Sequence, residues 1–148
     1  REGKQEAAET EVVPETDIGN AATKVWVVTT ASLPWMTGTS INPLLRAAFL
    51  TRGRDPGMVT LMVPFLTREE QPKLFPPGVI FETPEEQEES VRLWLREAGL
   101  EKESNRLRLL FYPGRYHSEY GSIFPMGDLT QLVPVEEADL CILEEPEH

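Results

Sequence analysis

Residues 25–50, VWVVTTASLPWMTGTSINPLLRAAFL, constrain the fold more than any other stretch, because they pass from an apolar run through a turn-rich loop to a helix start. Val25, Trp26, Val27, Val28, Thr29 and Thr30 are β-branched or aromatic without a break. An uninterrupted run of this kind suits a strand covered on both faces, as in a parallel sheet. Asn42 and Pro43 come next. Asn is a favoured N-cap and Pro fits the first helical position, where its missing N–H has no partner to lose, so a helix is predicted from here towards Arg52. Between strand and helix, Gly38 sits among Thr37, Thr39 and Ser40. An open α/β sheet binds its ligand at such a loop: small residues admit the ligand to the backbone, and the free N–H groups of the helix start attract phosphate or another polar group. Thr37, Gly38, Thr39 and Asn42 are therefore the candidate substrate-binding residues. No Lys follows Gly38 as in a phosphate-binding G-x-x-x-x-G-K-[ST] loop, and the G-x-G-x-x-G dinucleotide pattern is absent, which disfavours nucleotide hydrolysis and hydride transfer.

The rest of the chain repeats the alternation of strand and helix. A second strand is expected over residues 58–63, introduced by Asp55-Pro56-Gly57 and closed by Pro64. Thr67 is placed to cap a short helix ending at Leu74, with Glu70 as its capping-box partner. After the turn at Pro76-Pro77-Gly78, residues 79–81 read as a short third strand. The strongest helix signal comes next. Thr83 is its N-cap, Pro84 its first residue and Glu86 its third, and Val91, Trp94, Leu95 and Ala98 make one apolar stripe ended by Gly99. The acid run over residues 85–89 reads as a solvated helix start, its carboxylates pointing around the axis, and no metal site is expected. Residues 107–112 form a fourth strand, with Pro113-Gly114 turning the chain outwards so that Arg115, Tyr116 and His117 form a loop able to reach the cleft. Asp128 is expected to cap a short helix over residues 129–133, and residues 140–143 form a fifth strand. The pattern predicts a doubly wound, mostly parallel Rossmann-like α/β sheet with right-handed crossovers. In that topology the carboxyl ends of the parallel strands share one edge, so residues 37–42 and 145–148 converge.

At 148 residues one domain is expected, over residues 24–148, preceded by an acidic, Ala-rich, disordered tail over residues 1–23. The chain opens on Arg and stops soon after the last apolar run, so it is expected to be part of a longer protein. The formal net charge of −11, with no cluster of Lys and Arg, argues against nucleic acid and against anionic lipid as partners. Cys141 is the single cysteine, which excludes an intramolecular disulfide and a multi-cysteine zinc site; within its apolar run it is expected to be a small buried hydrophobe. No apolar stretch approaches the roughly 20 residues that span a bilayer, so any membrane contact is expected to be peripheral.

Four strings carry a family likeness. ASLPWMTGTSINPLLRAAFL (31–50), FYPGRY (111–116), SIFPMGDLTQLVP (122–134) and EEADLCILEEPEH (136–148) resemble, in the same order, the digalactosyldiacylglycerol synthases of plants and algae. These are galactolipid glycosyltransferases of the two-domain glycosyltransferase-B architecture, and the likeness runs from Val25 to the end. It implies the N-terminal half of such a fold and retaining transfer of galactose from UDP-galactose to monogalactosyldiacylglycerol, peripherally bound at the chloroplast outer envelope. The implied first domain supplies the glycine loop and the contacts to the galactolipid acceptor, the missing second domain binds the donor, and no cofactor is needed beyond that donor substrate. Such an enzyme must stabilise charge developing on the departing diphosphate, which backbone N–H groups at Gly38 suit, and must orient an acceptor hydroxyl. Glu145 and His148 are of the residue types for the second task and are the candidate catalytic residues. A sucrose- or sterol-type glycosyltransferase would share the glycine loop, whereas a non-catalytic α/β interaction domain would need neither loop nor acids.

Overall fold

In the computed structural model, which describes residues 20–31, 33–35, 38–117, 119, 122–127, 133 and 138–144, the apolar run forms β1 (Val25–Thr29), buried at every position. β2 (Val59–Phe65) pairs with it in parallel on one side and β5 (Leu140–Glu144) on the other. β3 (Arg108–His117) continues the parallel sheet beyond β2, and β4 (Ser122–Pro125) closes that edge as an antiparallel hairpin partner. The order is β4-β3-β2-β1-β5. Taken alone, the parallel strands run third, second, first, last, which is the doubly wound Rossmann-like order expected from the sequence, with its reversal at β1.

Alternating side chains divide the core between the two faces of the sheet. Val25, Val27, Leu61, Val63, Leu109 and Ile142 face α1 (Gly38–Leu50) and α2 (Pro84–Glu97), meeting Leu44, Ala47, Ala48, Val91 and Leu95. On the opposite face Trp26, Val28, Met62 and Tyr112 form a second cluster, with Val133 and Ala138 packed against it. α2 begins as its sequence required: the Thr83 hydroxyl accepts the Glu86 N–H at 3.3 Å, and the Glu86 carboxylate accepts the Glu82 N–H at 2.7 Å. Of its stripe, Val91 and Leu95 are buried, Trp94 is half-buried against the core and Ala98 is exposed. A further short helix, α3 (Glu101–Arg106), carries Glu103 to Arg52 at 2.7 Å.

Several local expectations give way to packing. α1 starts at Gly38, not after Asn42, and Pro43 lies inside it. Ser40, Leu44, Ala47, Ala48 and Thr51 are all buried, a helical stripe that extends past Asn42 and outweighs the local cap signal, leaving Asn42 exposed on the helix. Pro64 does not end β2: the β1 ladder stops at Met62, so Pro64 lies where β2 is flanked by β3 alone and a missing N–H is tolerated. Pro113 and Gly114 stay within β3 because Pro113 pairs with Phe65 of β2 and Gly114 with Pro125 of β4. A side chain at Gly114 would come within 2.9 Å of both Pro64 and Ile123, so only glycine permits this approach. Cys141 is exposed, since β5 is an edge strand of alternating burial whose outward face also leaves Leu143 63% exposed. The short helix expected after Asp128 falls almost wholly outside the described residues. Asn20 and Thr23, within the stretch expected as a tail, are held by the buried Arg54, whose guanidinium donates to both of their carbonyls and to that of Leu50.

Residues 79–81 form no strand. Gln71, fully buried in a 3-10 turn (Gln71–Lys73) where a capped helix was expected, donates to the carbonyls of Leu66 and Phe81 at 3.0 and 2.9 Å and accepts the Phe81 N–H at 2.8 Å. Its amide supplies the pairing that a neighbouring strand would otherwise give. Gln71→Ala should therefore lower unfolding free energy by about 3 kcal/mol, at roughly 1 kcal/mol for each hydrogen bond lost, measured by denaturant titration. The Arg52 hydrogen bond holds the Glu103 carboxyl below its ordinary 4.5. Its stabilisation is thus complete above about pH 4.5 and is lost as pH falls through the lower folded-state value. Glu103→Gln should remove that part of the acid sensitivity, seen as a flatter dependence of Tm on pH between neutral and acid buffers.

Candidate functional site

The chain leaving β1 is tied down by side chains from four elements. The Thr29 hydroxyl bonds both the N–H and the carbonyl of Ala31 at 3.2 Å. The Tyr112 hydroxyl of β3 donates to the Thr29 carbonyl at 2.7 Å, and burial pushes its pKa well up, so it remains a donor. The amide of Gln87, buried on α2, donates to the Leu33 carbonyl at 2.8 Å, ahead of a cis Leu33–Pro34 bond. From α1, the Ser40 hydroxyl donates to the Trp35 carbonyl. Ala31 and Leu33 are themselves buried, and the adjacent Thr30 hydroxyl oxygen is buried with no hydrogen-bond partner.

This scaffold positions part of the residue set read from the sequence. Gly38 and Thr39 are the first two residues of α1, where backbone N–H groups have no intrahelical acceptor. Asn42 is exposed in the following turn. Thr37, Glu145 and His148 lie outside the described residues. The backbone running into Glu145 is nevertheless located: Glu144 ends β5 directly beside Thr29, and Arg46 of α1 pairs with its carboxylate at 2.7 Å. The carboxyl ends of β1 and β5 and the helix between β1 and β2 therefore meet at the point where the strand order reverses, the ligand crevice of open α/β sheets.

Arg115, Tyr116 and His117 are not a free loop but the end of β3, paired with Phe124, Ile123 and Ser122. Arg115 lies 3.9 Å from Glu70, whose carboxylate also accepts the Tyr116 N–H at 3.3 Å. Sequence reasoning passed over Gln87 and Tyr112. Gln87 was legible as a polar residue on the buried stripe it shares with Val91 and Leu95; Tyr112 carried no such signal, because its partner is a carbonyl two strands away. Among the described residues no group of three or more His, Cys, Asp or Glu is placed to hold a metal ion, and no helix is long and apolar enough to cross a membrane.

No family model matches the chain. Among curated proteins it is 48% identical over 125 residues to digalactosyldiacylglycerol synthase 1, chloroplastic, of Arabidopsis thaliana, a match covering 84% of this chain and 15% of that protein. It is 45% identical over 133 residues to the Lotus japonicus protein of the same name, covering 89% of this chain and 16% of the relative. With digalactosyldiacylglycerol synthase 2, chloroplastic, of Arabidopsis thaliana the identity is 45% over 122 residues, covering 82% and 25%. The chain thus spans about a sixth to a quarter of the length of these relatives.

If the Gln87 contact fixes the loop after β1, Gln87→Leu should remove the amide hydrogen bond to the Leu33 carbonyl and cost about 1 kcal/mol of stability. Backbone hydrogen exchange at Leu33 and Trp35 should accelerate while that of β3 is unchanged.

Proposed function

Because this chain belongs, over the span it shares with them, to the digalactosyldiacylglycerol synthases, we propose that it forms the acceptor-side, N-terminal Rossmann-like domain of a glycosyltransferase-B enzyme. That enzyme transfers galactose from UDP-galactose to monogalactosyldiacylglycerol with retention at the anomeric centre. The observation that carries this reading is the strand reversal at β1, which brings the start of α1 and the end of β5 to one crevice.

The backbone N–H groups of Gly38 and Thr39 are dipoles oriented before reaction and suit the charge that develops on the departing diphosphate. Thr37, next to Gly38 in sequence, and Asn42, exposed on α1, are the further candidate substrate contacts. Glu145 and His148, which follow β5 in sequence, are the candidate catalytic residues, of types that hydrogen-bond sugar hydroxyls or move a proton. The donor is held mainly by a second domain of the same protein, with no further cofactor. The enzyme works in the chloroplast, bound peripherally at the outer envelope.

In the full-length protein, Gly38→Val should lower turnover at least about tenfold, equivalent to roughly 1.4 kcal/mol of transition-state stabilisation, with little change in Tm. The core truncation Leu95→Ala should do the reverse, costing about 3 kcal/mol of stability with turnover kept below its unfolding temperature. Full activity of Gly38→Val would reduce the loop to a connection, and absence of galactose transfer by the wild-type protein would overturn the reading.

A further inference from the structure

Along the same sheet edge, beyond β2 from the β1 loop, the carboxyl ends of β2 and β3 open into a groove that the strand-reversal site does not use. Its inner part, about 270 Å³, is lined by Phe65 and Phe111, whose rings meet edge to face at 6.4 Å, and by Met126 at the rim, 53% exposed. Through Thr67 and Met126 it continues into an outer part of about 340 Å³ bounded by Glu69, Glu70 and Arg115. Glu70 is immobilised there by the Tyr116 N–H at 3.3 Å and by Arg115 at 3.9 Å. The Met126 N–H donates to the Pro113 carbonyl at 2.9 Å, which fixes the rim to β3.

Among the described residues the groove is thus divided: an apolar half walled by aromatic rings, and a polar half lined by the carboxylates of Glu69 and Glu70 and the guanidinium of Arg115. The excess of negative charge opposes phosphate and anionic headgroups, as does the chain's net −11. Carboxylates accept from neutral hydroxyls and a guanidinium donates to them, while aromatic and thioether surface receives the C–H faces of a sugar ring and the first methylenes of a lipid. An uncharged molecule with a polyhydroxyl head and an apolar stem complements both halves. We propose that this groove seats the galactolipid acceptor, with its galactose on Glu69, Glu70 and Arg115 and its glycerol stem against Phe65, Phe111 and Met126. This assignment rests on the galactosyltransferase reading above, and it puts the acceptor on the sheet edge that also carries Gly38.

The test is steady-state kinetics of the full-length enzyme, varying monogalactosyldiacylglycerol in neutral phosphatidylcholine vesicles and UDP-galactose separately. Glu70→Gln keeps an acceptor for the Tyr116 N–H, and Met126→Asp changes an exposed side chain, so both should fold. Each should raise the acceptor KM about tenfold while the donor KM holds, and Arg115→Lys should be milder than Arg115→Met. Unchanged acceptor KM in an active enzyme, or equal changes in both KM values, would overturn the groove and leave the galactosyltransferase reading standing. A wild-type enzyme that transfers nothing to the galactolipid would overturn both. Stronger binding to vesicles carrying phosphatidylglycerol than to those carrying the galactolipid would also sink the groove assignment.

Discussion

β1 must be satisfied on four sides at once: two ladders along its edges and apolar cover on both faces. Every one of its residues is buried, so neither a backbone N–H nor a Val or Trp side chain can turn to water. The remaining elements are arranged to meet that demand. β2 and β5 take the two edges, α1 and α2 cover one face, and the Tyr112 cluster lies on the other. A strand so enclosed can end only where the sheet's carboxyl edge meets solvent, and that is where the loop to α1 begins. The crevice follows from closing the core around β1.

Polar side chains complete what the sheet and helices leave unpaired. Gln71 pairs the backbone at Phe81 and Leu66, Gln87 the carbonyl of Leu33, and Arg54 those of Asn20, Thr23 and Leu50. Each of these side chains is buried, where an unsatisfied backbone group costs far more than a typical hydrogen bond contributes. The described irregular backbone at Asn20, Thr23, Leu33, Leu66 and Phe81 is thereby tied to the core by buried side chains. Arg54 adds a charge at the carboxyl end of α1, where the helix dipole favours it.

The carboxyl edge carries two chemically different regions. Around β1 and α1 the groups on offer are backbone N–H dipoles and small side chains, suited to a polar or negatively charged group. Around β2 and β3 they are aromatic rings and carboxylates, suited to neutral hydroxyls on an apolar stem. The sheet separates the two environments by the width of β2.

Periodicity and composition alone determined β1, the helix that opens at Pro84, a strand over residues 140–143 and the doubly wound class, because uninterrupted or 3.6-residue apolar patterns leave a buried chain few alternatives. A loop carrying Gly38 was expected between β1 and the first helix, but Gly38 itself opens that helix, and Thr37, Glu145 and His148 lie outside the described residues. Tertiary structure decided whatever depended on a partner distant in sequence. α1 starts at Gly38 because Ser40 joins a buried stripe, and β3 runs on through Pro113 and Gly114 because β2 pairs with the first and β4 with the second. Residues 79–81 stay out of the sheet because Gln71 satisfies them, and Cys141 is exposed because it lies on the uncovered face of β5, the edge strand among the described residues. Local signals such as an Asn-Pro or Pro-Gly pair are worth about 1 kcal/mol, less than the burial of one Leu or Val side chain. Where the two compete, the side chain that reaches the core sets the boundary.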